Sequence, residues 1–275
     1  MANQEIKVVI VAPTFGSALQ ISLVRNIRKF FTPEEIALRS ATDDADNQLD
    51  CLKKILTQNK PTALIAMDIQ PDSDTISTYS AANIPIILFD EEAAGVSSIA
   101  IDNIKGGYIA GEYLASKGRK KIAIVSGRTK VKGGYNAELR INGFRQALKA
   151  KGLSIPVGCA IEVLHYSRED GIEVMPALLA MGVDAIFCAA GDNCAHGLLL
   201  EARDRGKRIP TDVAIVGFDD LPIARLLTPT LTTIRQPLEE MAKAAYDMIV
   251  TQRDTILHNP QKAIFNPELV IRKST

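Results

Sequence analysis

The sequence has no excess of either charge: 32 lysines and arginines stand against 32 aspartates and glutamates, a formal net charge of zero over 275 residues. A domain that grips nucleic acid by itself usually carries a basic excess or a basic stripe. Neutrality therefore argues against a chain that binds DNA alone. It does not exclude a protein whose basic part lies elsewhere.

Targeting and anchoring signals are also missing. The chain enters an apolar run at Ile6 with no basic segment before it, so no signal peptide is predicted. No stretch approaches the ~18 apolar residues that cross a bilayer, so no membrane partner is expected. The four cysteines, Cys51, Cys159, Cys188 and Cys194, show no CxxC spacing. Their use favours a reducing compartment, and we expect the protein in the cytoplasm.

Constellations for catalysis or cofactor binding are absent as well. Gly133-Gly134 is followed by Tyr135 and not by Lys, so it predicts a flexible turn, not a phosphate-binding loop. A second group of glycines lies inside a helical pattern and indicates close helix packing, not a dinucleotide site: Gly106, Gly107 and Gly111. No GxSxG motif occurs, and the three histidines are too scattered for a metal site. We expect no cofactor and no metal, and an α/β enzyme is the least favoured class.

What the sequence does contain is an alternation of short apolar runs with helical patterns. Strands are predicted over residues 6–12, 36–41, 63–67, 84–89, 98–101, 121–126, 160–164, 184–188 and 213–218. Helices between such strands call for parallel sheets. Ten or so strands would make one large sheet, so two sheets of five or six are more economical.

The predicted fold class is therefore α/β, with two doubly wound parallel-sheet lobes joined by a hinge of three crossings. The N-terminal lobe is predicted to comprise residues 1–102 plus 237–265, and the C-terminal lobe residues 103–236 plus 266–275. Ligands of open α/β sheets bind beyond the carboxyl ends of the strands. Two such lobes facing each other would build a cleft from those loops.

Polar residues stand at those strand ends. They are Asp68, Asp90 and Asp219, and the pairs Gly191-Asp192 and Asp102-Asn103. Taken singly, each is a plausible loop carboxylate or helix N-cap. Taken with Arg140, early in a helix of the second lobe, they predict a cleft of acceptors with one guanidinium. Such a cleft suits the hydroxyl groups of a sugar, or another small polar metabolite.

Four stretches resemble the LacI/GalR family of transcription regulators, which has the type I periplasmic-binding-protein fold. They are IDN…GG…A…L…GRKKIA over residues 101–123, RINGF..AL over 140–148, IPTDVAIVGFDD over 209–220 and PTLTTIRQP over 229–237. The last two are specific in combination. The similarity extends over nearly the whole chain.

The resemblance implies roles for individual residues. Arg140 matches the arginine that clamps the effector, and Asp219 matches a carboxylate that accepts effector hydroxyls or amines. Asp90 matches the acid after the fourth strand of the first lobe. Phe15 and Ser17 occupy the first strand-to-helix loop, where members place an aromatic wall. The predicted ligand-binding set is Phe15, Ser17, Asp68, Asp90, Arg140, Asp192, Asn193 and Asp219.

Three departures from the family pattern stand out. Gly191 replaces the effector-facing asparagine of the family motif, so either the ligand is bulkier there, or water or Asn193 compensates. The first loop lacks the common NPF. Family repressors also carry a helix-turn-helix before the core, whereas here the core begins at Ile6. Operator DNA would be bound only through such a head, either removed from this chain or naturally missing.

The favoured function is the effector-binding core of a LacI/GalR-type regulator, cytoplasmic and homodimeric, whose lobe closure on a sugar or related metabolite controls DNA binding. Apolar residues of the helical patterns over residues 47–56 and 241–250 favour the dimer, and the alternative for each helix is that it simply covers its own sheet. The alternative is a free-standing sugar-binding or solute-binding protein of the same fold. The effector's identity, and whether it induces or corepresses, stay open.

Overall fold

A computed structural model describes residues 6–41, 45–129 and 135–275. The turn predicted at Gly133-Gly134 and the segment before Ile6 lie outside these ranges. The chain divides into two compact units. Unit 1 combines Met1–Ile101 with Pro237–Phe265, and unit 2 combines Asp102–Gln236 with Asn266–Thr275, so the chain passes between the units three times.

The strands of the described residues are β1 (Val8–Ala12), β2 (Ile36–Ser40), β3 (Ala63–Met67), β4 (Ile86–Phe89), β5 (Ser97–Ile101), β6 (Ile122–Ser126), β7 (Ala160–Glu162), β8 (Ala185–Cys188), β9 (Ala214–Asp219), β10 (Thr232–Arg235), β11 (Lys262–Phe265) and β12 (Glu268–Val270). The α-helices are α1 (Ala18–Ile27), α2 (Ala45–Lys54), α3 (Ser73–Ala81), α4 (Asn103–Ser116), α5 (Tyr135–Ala150), α6 (Arg168–Ala180), α7 (Asp192–Asp204), α8 (Leu238–Tyr246) and α9 (Arg253–His258). Short 3-10 helices occur at Pro33–Glu35 and Pro222–Arg225, and π-helical segments at Ile55–Asn59 and Asp247–Thr251.

Each unit contains one six-stranded sheet. The order is β11-β5-β4-β3-β1-β2 in unit 1 and β12-β10-β9-β8-β6-β7 in unit 2. All neighbours run parallel except β12, which pairs antiparallel with β10. The predicted fold class of two doubly wound, mostly parallel sheets is confirmed. The strands β10, β11 and β12 were not predicted, because they are three or four residues long and only one of them is largely buried.

The sheet of unit 1 is covered on both faces. Alternate residues of β1, β3 and β4 pack against α2 and α3; this cluster includes Val9, Val11, Leu64, Ala66, Ile86 and Leu88 with Leu52, Ile55 and Tyr79. The helices α1 and α8 pack against each other, with Phe31 and Tyr246 in edge-to-face contact at 5.1 Å between ring centroids. The near-continuous apolar strands of the sequence follow from this two-sided burial.

The apolar residues of α8 and of the π-helical segment that follows it pack inside unit 1. Met241 and Ala245 of α8 and Met248 and Ile249 of the π-helical segment after it are buried, and Val250 is the one exposed apolar residue of this stretch. The apolar pattern over residues 241–250 is therefore explained by a helix that covers its own sheet. It gives no separate argument for a dimer.

Helix pairs in unit 2 approach each other at glycines. A Cβ added to Gly107 of α4 would lie 2.0 Å from the carbonyl oxygen of Arg140 in α5, and one added to Gly143 would lie 1.9 Å from that of Ile104. Gly171 and Gly197 play the same part between α6 and α7. The prediction that glycines inside α4 permit close packing is confirmed.

A segment after β12 completes the sheet of unit 2. Ser274 is fully buried, and its hydroxyl group donates to the carbonyl of Ile215 at 2.6 Å and accepts from the N–H of Thr232 at 2.8 Å. Its own carbonyl accepts from the N–H of Ile215 at 2.9 Å. Residues 266–275 are thus joined to β9 and β10. Among the described residues, no helix combines the length and apolar character needed to span a bilayer.

Candidate ligand-binding site

Three predicted aspartates share an unusual backbone conformation at the carboxyl ends of their strands. Asp68 follows β3, Asp90 follows β4 and Asp219 ends β9, with φ angles of 54°, 56° and 102°. A positive φ is uncommon outside glycine, and aspartate tolerates it better than most residues. Because β1, β3 and β4 are parallel neighbours, their carboxyl ends share one edge. In unit 1 this edge brings together Phe15, Ser17, Asp68 and Asp90.

A glutamine organises the first part of that edge. Ser17 is the N-cap of α1, and its hydroxyl oxygen accepts from the N–H of Gln20 at 3.1 Å. The Gln20 side chain accepts from the N–H of Ser17 at 3.4 Å and donates to the carboxylate of Asp68 at 2.6 Å. Phe15 is half-buried, and Ser17 and Asp68 are exposed. Gln20 therefore ties Asp68 to the start of α1, a role that the sequence did not reveal.

In unit 2, Arg140 is held by three separate elements. Its Nε donates to Oδ1 of Asn103 at 2.7 Å, and its Nη1 donates to the carbonyl of Ala189 at 3.0 Å. The guanidinium carbon lies 3.7 Å from the ring centroid of Phe218. Stacking and hydrogen bonds fix the plane of the guanidinium group, which prepares it for bidentate contacts with a ligand. Asn103 had been noted in the sequence only as a polar residue at a strand end.

Asp219 lies close enough to Arg140 for the positive charge of the guanidinium group to stabilise its carboxylate. The carboxyl group is buried, and Oδ1 accepts from Nε2 of Gln236 at 2.7 Å. Burial raises the pKa of Asp219, and this increase is opposed by the Arg140 charge and by the Gln236 hydrogen bond. Oε1 of Gln236 is itself buried and accepts no hydrogen bond from the described part of the chain. Because buried polar atoms are normally paired, this oxygen is suited to a donor on a bound molecule.

Asp192 differs from the role predicted for it. The residue is fully buried; its Oδ1 accepts from the hydroxyl group of Thr233 at 2.6 Å and its Oδ2 from the N–H of Leu221 at 2.7 Å. Both oxygens are therefore committed to the protein. The predicted ligand-binding set is corrected here, because it included Asp192. From sequence alone, a carboxylate at the start of a helix could not be assigned to ligand binding or to a structural role.

The backbone of Gly191 explains the departure from the family motif. Its φ of 103° and ψ of 169° belong to a region that only glycine occupies readily. A Cβ at this position would lie 3.0 Å from Oδ2 of Asp219. An asparagine would be strained there and would crowd that carboxylate. Asn193, half-buried in the first turn of α7, remains a predicted contact.

Tyr166 is an aromatic residue at the same edge that sequence analysis missed. It follows β7, is 38% exposed and has a φ of 57°. Its ring lies over Gly127, just after β6, where a Cβ would approach to 2.2 Å. Because β6 and β7 are parallel neighbours, the ring stands at their carboxyl ends. An aromatic residue between the end of a predicted strand and the N-cap residue Ser167 of the next helix is the sequence signal that could have identified it.

The raised pKa of Asp219 predicts a pH-dependent effect of Asp219→Asn on stability. The folded pKa exceeds the usual 3.8, so the folded state holds more protons than the unfolded state between those values. The free energy of unfolding therefore falls as pH rises through this window, and the asparagine variant lacks this loss. In ligand-free urea unfolding, we expect the variant to gain stability relative to the native protein as the pH rises from about 4. A difference that is independent of pH would contradict the prediction.

Comparisons with known proteins were made on the sequence and on the fold. A family model described as periplasmic binding protein-like domain matches residues 112–275. The HTH-type transcriptional repressor PurR of Klebsiella pneumoniae (strain 342) is 30% identical over 244 residues, which cover 87% of this chain and 70% of the repressor. Relatives found in this way are transcriptional regulators and not enzymes.

Two solved structures illustrate the likeness of fold. A LacI family transcriptional regulator from Enterococcus faecium, with bound ribose, has a TM-score of 0.84 at 24% identity, covering 98% of both chains. A periplasmic binding protein/LacI transcriptional regulator from Alkaliphilus metalliredigens QYMF, complexed with D-xylulofuranose, has a TM-score of 0.80 at 26% identity. That match covers 98% of this chain and 99% of the other.

Proposed function

This chain belongs to the LacI family of transcriptional regulators and corresponds to the effector-binding core of such a regulator. From that premise, we propose that the effector bound by this core is a sugar or a closely related polyhydroxy metabolite. Binding of the effector would change the operator affinity of a helix-turn-helix that lies outside these residues. Closure of the two lobes is the proposed means of that change. A free-standing solute-binding protein is not favoured, since the named relatives are regulators.

The observation that carries the proposal is the network of unit 2. It joins an oriented guanidinium group, Arg140, and a buried carboxylate, Asp219, in one cluster with Oε1 of Gln236, which accepts no hydrogen bond from the residues that the structure describes. A hydroxyl group donates one hydrogen bond and accepts others, so adjacent hydroxyls are matched by a cation and acceptors together. Tyr166 adds an apolar ring for the face of a sugar. Ribose and D-xylulofuranose in the similar structures are ligands of this class.

Unit 1 supplies a second set of groups at its own strand edge. Asp68 and Asp90 offer carboxylates, Ser17 a hydroxyl group and Phe15 an aromatic ring. We propose that these residues contact the effector as well. Asn193 belongs to the same proposed set, and Asp192 does not.

A thermal-shift screen of pentoses, hexoses, nucleosides and amino sugars tests the proposal. A ligand at 100 times its Kd adds about 2.7 kcal/mol to the free energy of unfolding, so a true effector raises the melting temperature measurably. We expect one sugar class to stabilise the native protein and to lose its effect in Asp219→Asn. The control is Asp212→Asn, which removes a half-buried carboxylate paired with Arg208 in the same unit. Equal stabilisation of Asp219→Asn would remove Asp219 from the site, and no response to any compound would contradict the proposal.

The proposal extends to assembly and location: a cytoplasmic homodimer. Its support is family membership, because the apolar residues of α8 are already covered within unit 1. Two-fold pairing would place the two DNA-binding heads side by side. Sedimentation equilibrium at micromolar concentration is expected to give twice the chain mass of 29.8 kDa. A monomer mass under those conditions would defeat this part.

A further inference from the structure

The turn that carries Asp219 is strained over two successive residues. Asp219 has a φ of 102° and Asp220 a φ of 55°. A non-glycine residue in such a conformation costs about 1–3 kcal/mol and persists only where its surroundings impose it. Something must therefore hold this turn, and the groups that do so can be identified from the contacts on either side.

Asp220 is fixed towards β10 and the segment after β12. Its carboxylate, 2% exposed, contacts Arg235 at 2.8 Å and Arg272 at 2.5 Å. These ion pairs hold the side chain of Asp220. The next residue, Leu221, is where a second constraint acts.

Asp192 provides that second constraint. Its Oδ2 accepts the N–H of Leu221 at 2.7 Å, the first backbone donor after the strained pair, and its Oδ1 accepts from Thr233 of β10 at 2.6 Å. The carboxylate also lies against β9, since a Cβ at Gly217 would come within 2.4 Å of Oδ1. Asp192 thus touches the strand before the turn, the backbone after it and the neighbouring strand.

We infer that Asp192 is a positioning residue, which holds the Asp219-Asp220 turn in its strained conformation and so directs the Asp219 carboxylate towards Gln236 and the ligand. The part of the inference that concerns the ligand rests on the proposed function. The part that concerns the geometry of the turn does not. It gives Asp192 a role at the site without contact to the effector. Hydrogen bonding, and not charge, is the means, because both partners of the carboxylate are neutral donors.

The test uses nuclear magnetic resonance of the ligand-free chain. The side-chain amide of Gln236, assigned by its disappearance in Gln236→Leu, donates to Asp219, so its resonance should follow the titration of that carboxyl group. In Asp192→Ala we expect the resonance to move towards those of exposed glutamines and to lose this titration. Asp192→Asn should retain both, because its oxygen can accept from Leu221 while the Thr233 hydroxyl group reverses to accept.

Ser274→Ala is the matched control. It removes buried hydrogen bonds to Ile215 of β9 and Thr232 of β10 in the same unit, and neither partner belongs to the turn. We expect it to lower stability and leave the Gln236 signal unchanged. An unchanged signal in Asp192→Ala, or the same displacement in Ser274→Ala, would overturn the inference.

If Asp192→Ala does not fold, Thr233→Val is the substitute, because it keeps the shape of the residue and removes one donor to Asp192. A smaller displacement in the same direction is then expected, and no displacement would overturn the inference. Because no ligand is added, these outcomes are independent of the thermal-shift screen. A screen in which no compound stabilises the protein would contradict the proposed effector class. It would not affect the positioning role of Asp192.

Discussion

Replacement of Arg140 by alanine is expected to weaken effector binding at least 100-fold while the protein stays folded. A hydrogen bond to a charged group contributes about 1.5–3 kcal/mol, and about 1.4 kcal/mol is a factor of ten in Kd. The guanidinium group offers two such bonds in a plane already fixed by Asn103, the Ala189 carbonyl and the Phe218 ring. Calorimetry with the compound that stabilises the native protein most would measure the loss.

Stability has to be separated from binding in this experiment. Arg140→Ala removes the hydrogen bonds that the guanidinium group donates to the Asn103 amide oxygen and to the Ala189 carbonyl, and a bond to a charged group contributes about 1.5–3 kcal/mol. Arg119→Ala is the matched control, because Arg119 also donates to backbone carbonyls of unit 2, those of Pro210 at 2.6 Å and Thr211 at 3.3 Å. We expect both variants to melt earlier and only Arg140→Ala to lose the ligand. Undiminished affinity in the folded Arg140→Ala protein would exclude Arg140 from the site.

The largest loss of stability is expected from Gly107→Ala. The new Cβ would lie 2.0 Å from the carbonyl oxygen of Arg140, whereas real Cβ atoms keep at least 3.0 Å. The obstacle is backbone, so no change of rotamer relieves it, and α4 must move away from α5 by about 1 Å. Overpacking costs about 1–3 kcal/mol where side chains can yield, and we expect the upper end or more. Thermal unfolding followed by circular dichroism measures this effect.

The same helix offers the control for this substitution. Gly118 lies just past the end of α4, with a φ of 78° and no atom within 4 Å of an added Cβ. Gly118→Ala therefore carries only the cost of a left-handed alanine, about 1–2 kcal/mol. Because the α5 turn that contacts Gly107 carries Arg140, Gly107→Ala should also weaken effector binding, and Gly118→Ala should not. Equal melting temperatures for the two variants would show that the helices accommodate the methyl group.

The sequence predicted the aspartates at the strand ends because a buried parallel strand is easy to recognise. Runs such as that of β3 are apolar at every position, so the first polar residue after them, Asp68, marks the strand end. The same argument located Asp90 and Asp219. The position of a residue along a strand can be read from the local sequence. Because the strands of a parallel sheet end at the same edge, that position also tells which edge of the sheet the residue occupies.

The partners of those residues were not predictable in this way. Gln20 and Asp68 are 48 residues apart, and Arg140 and Asn103 are 37 residues apart. Such pairs depend on which strands are neighbours and how the helices cross, neither of which periodicity specifies. Asp192 shows the same limit, since only its burial and its two donors separate a turn-holding carboxylate from one that meets a ligand.

The discontinuous make-up of the two units has a consequence for biosynthesis. A nascent chain that has emerged as far as Gln236 holds most of unit 2, yet it still lacks β12 and the Ser274 bonds to β9 and β10. Unit 1, begun earlier, waits for α8 and β11 from residues 237–265. Both apolar sheets are thus incomplete for much of translation, and they are completed within the last forty or so codons read for these residues. Ribosome pausing or chaperone engagement in that window would affect the two units together.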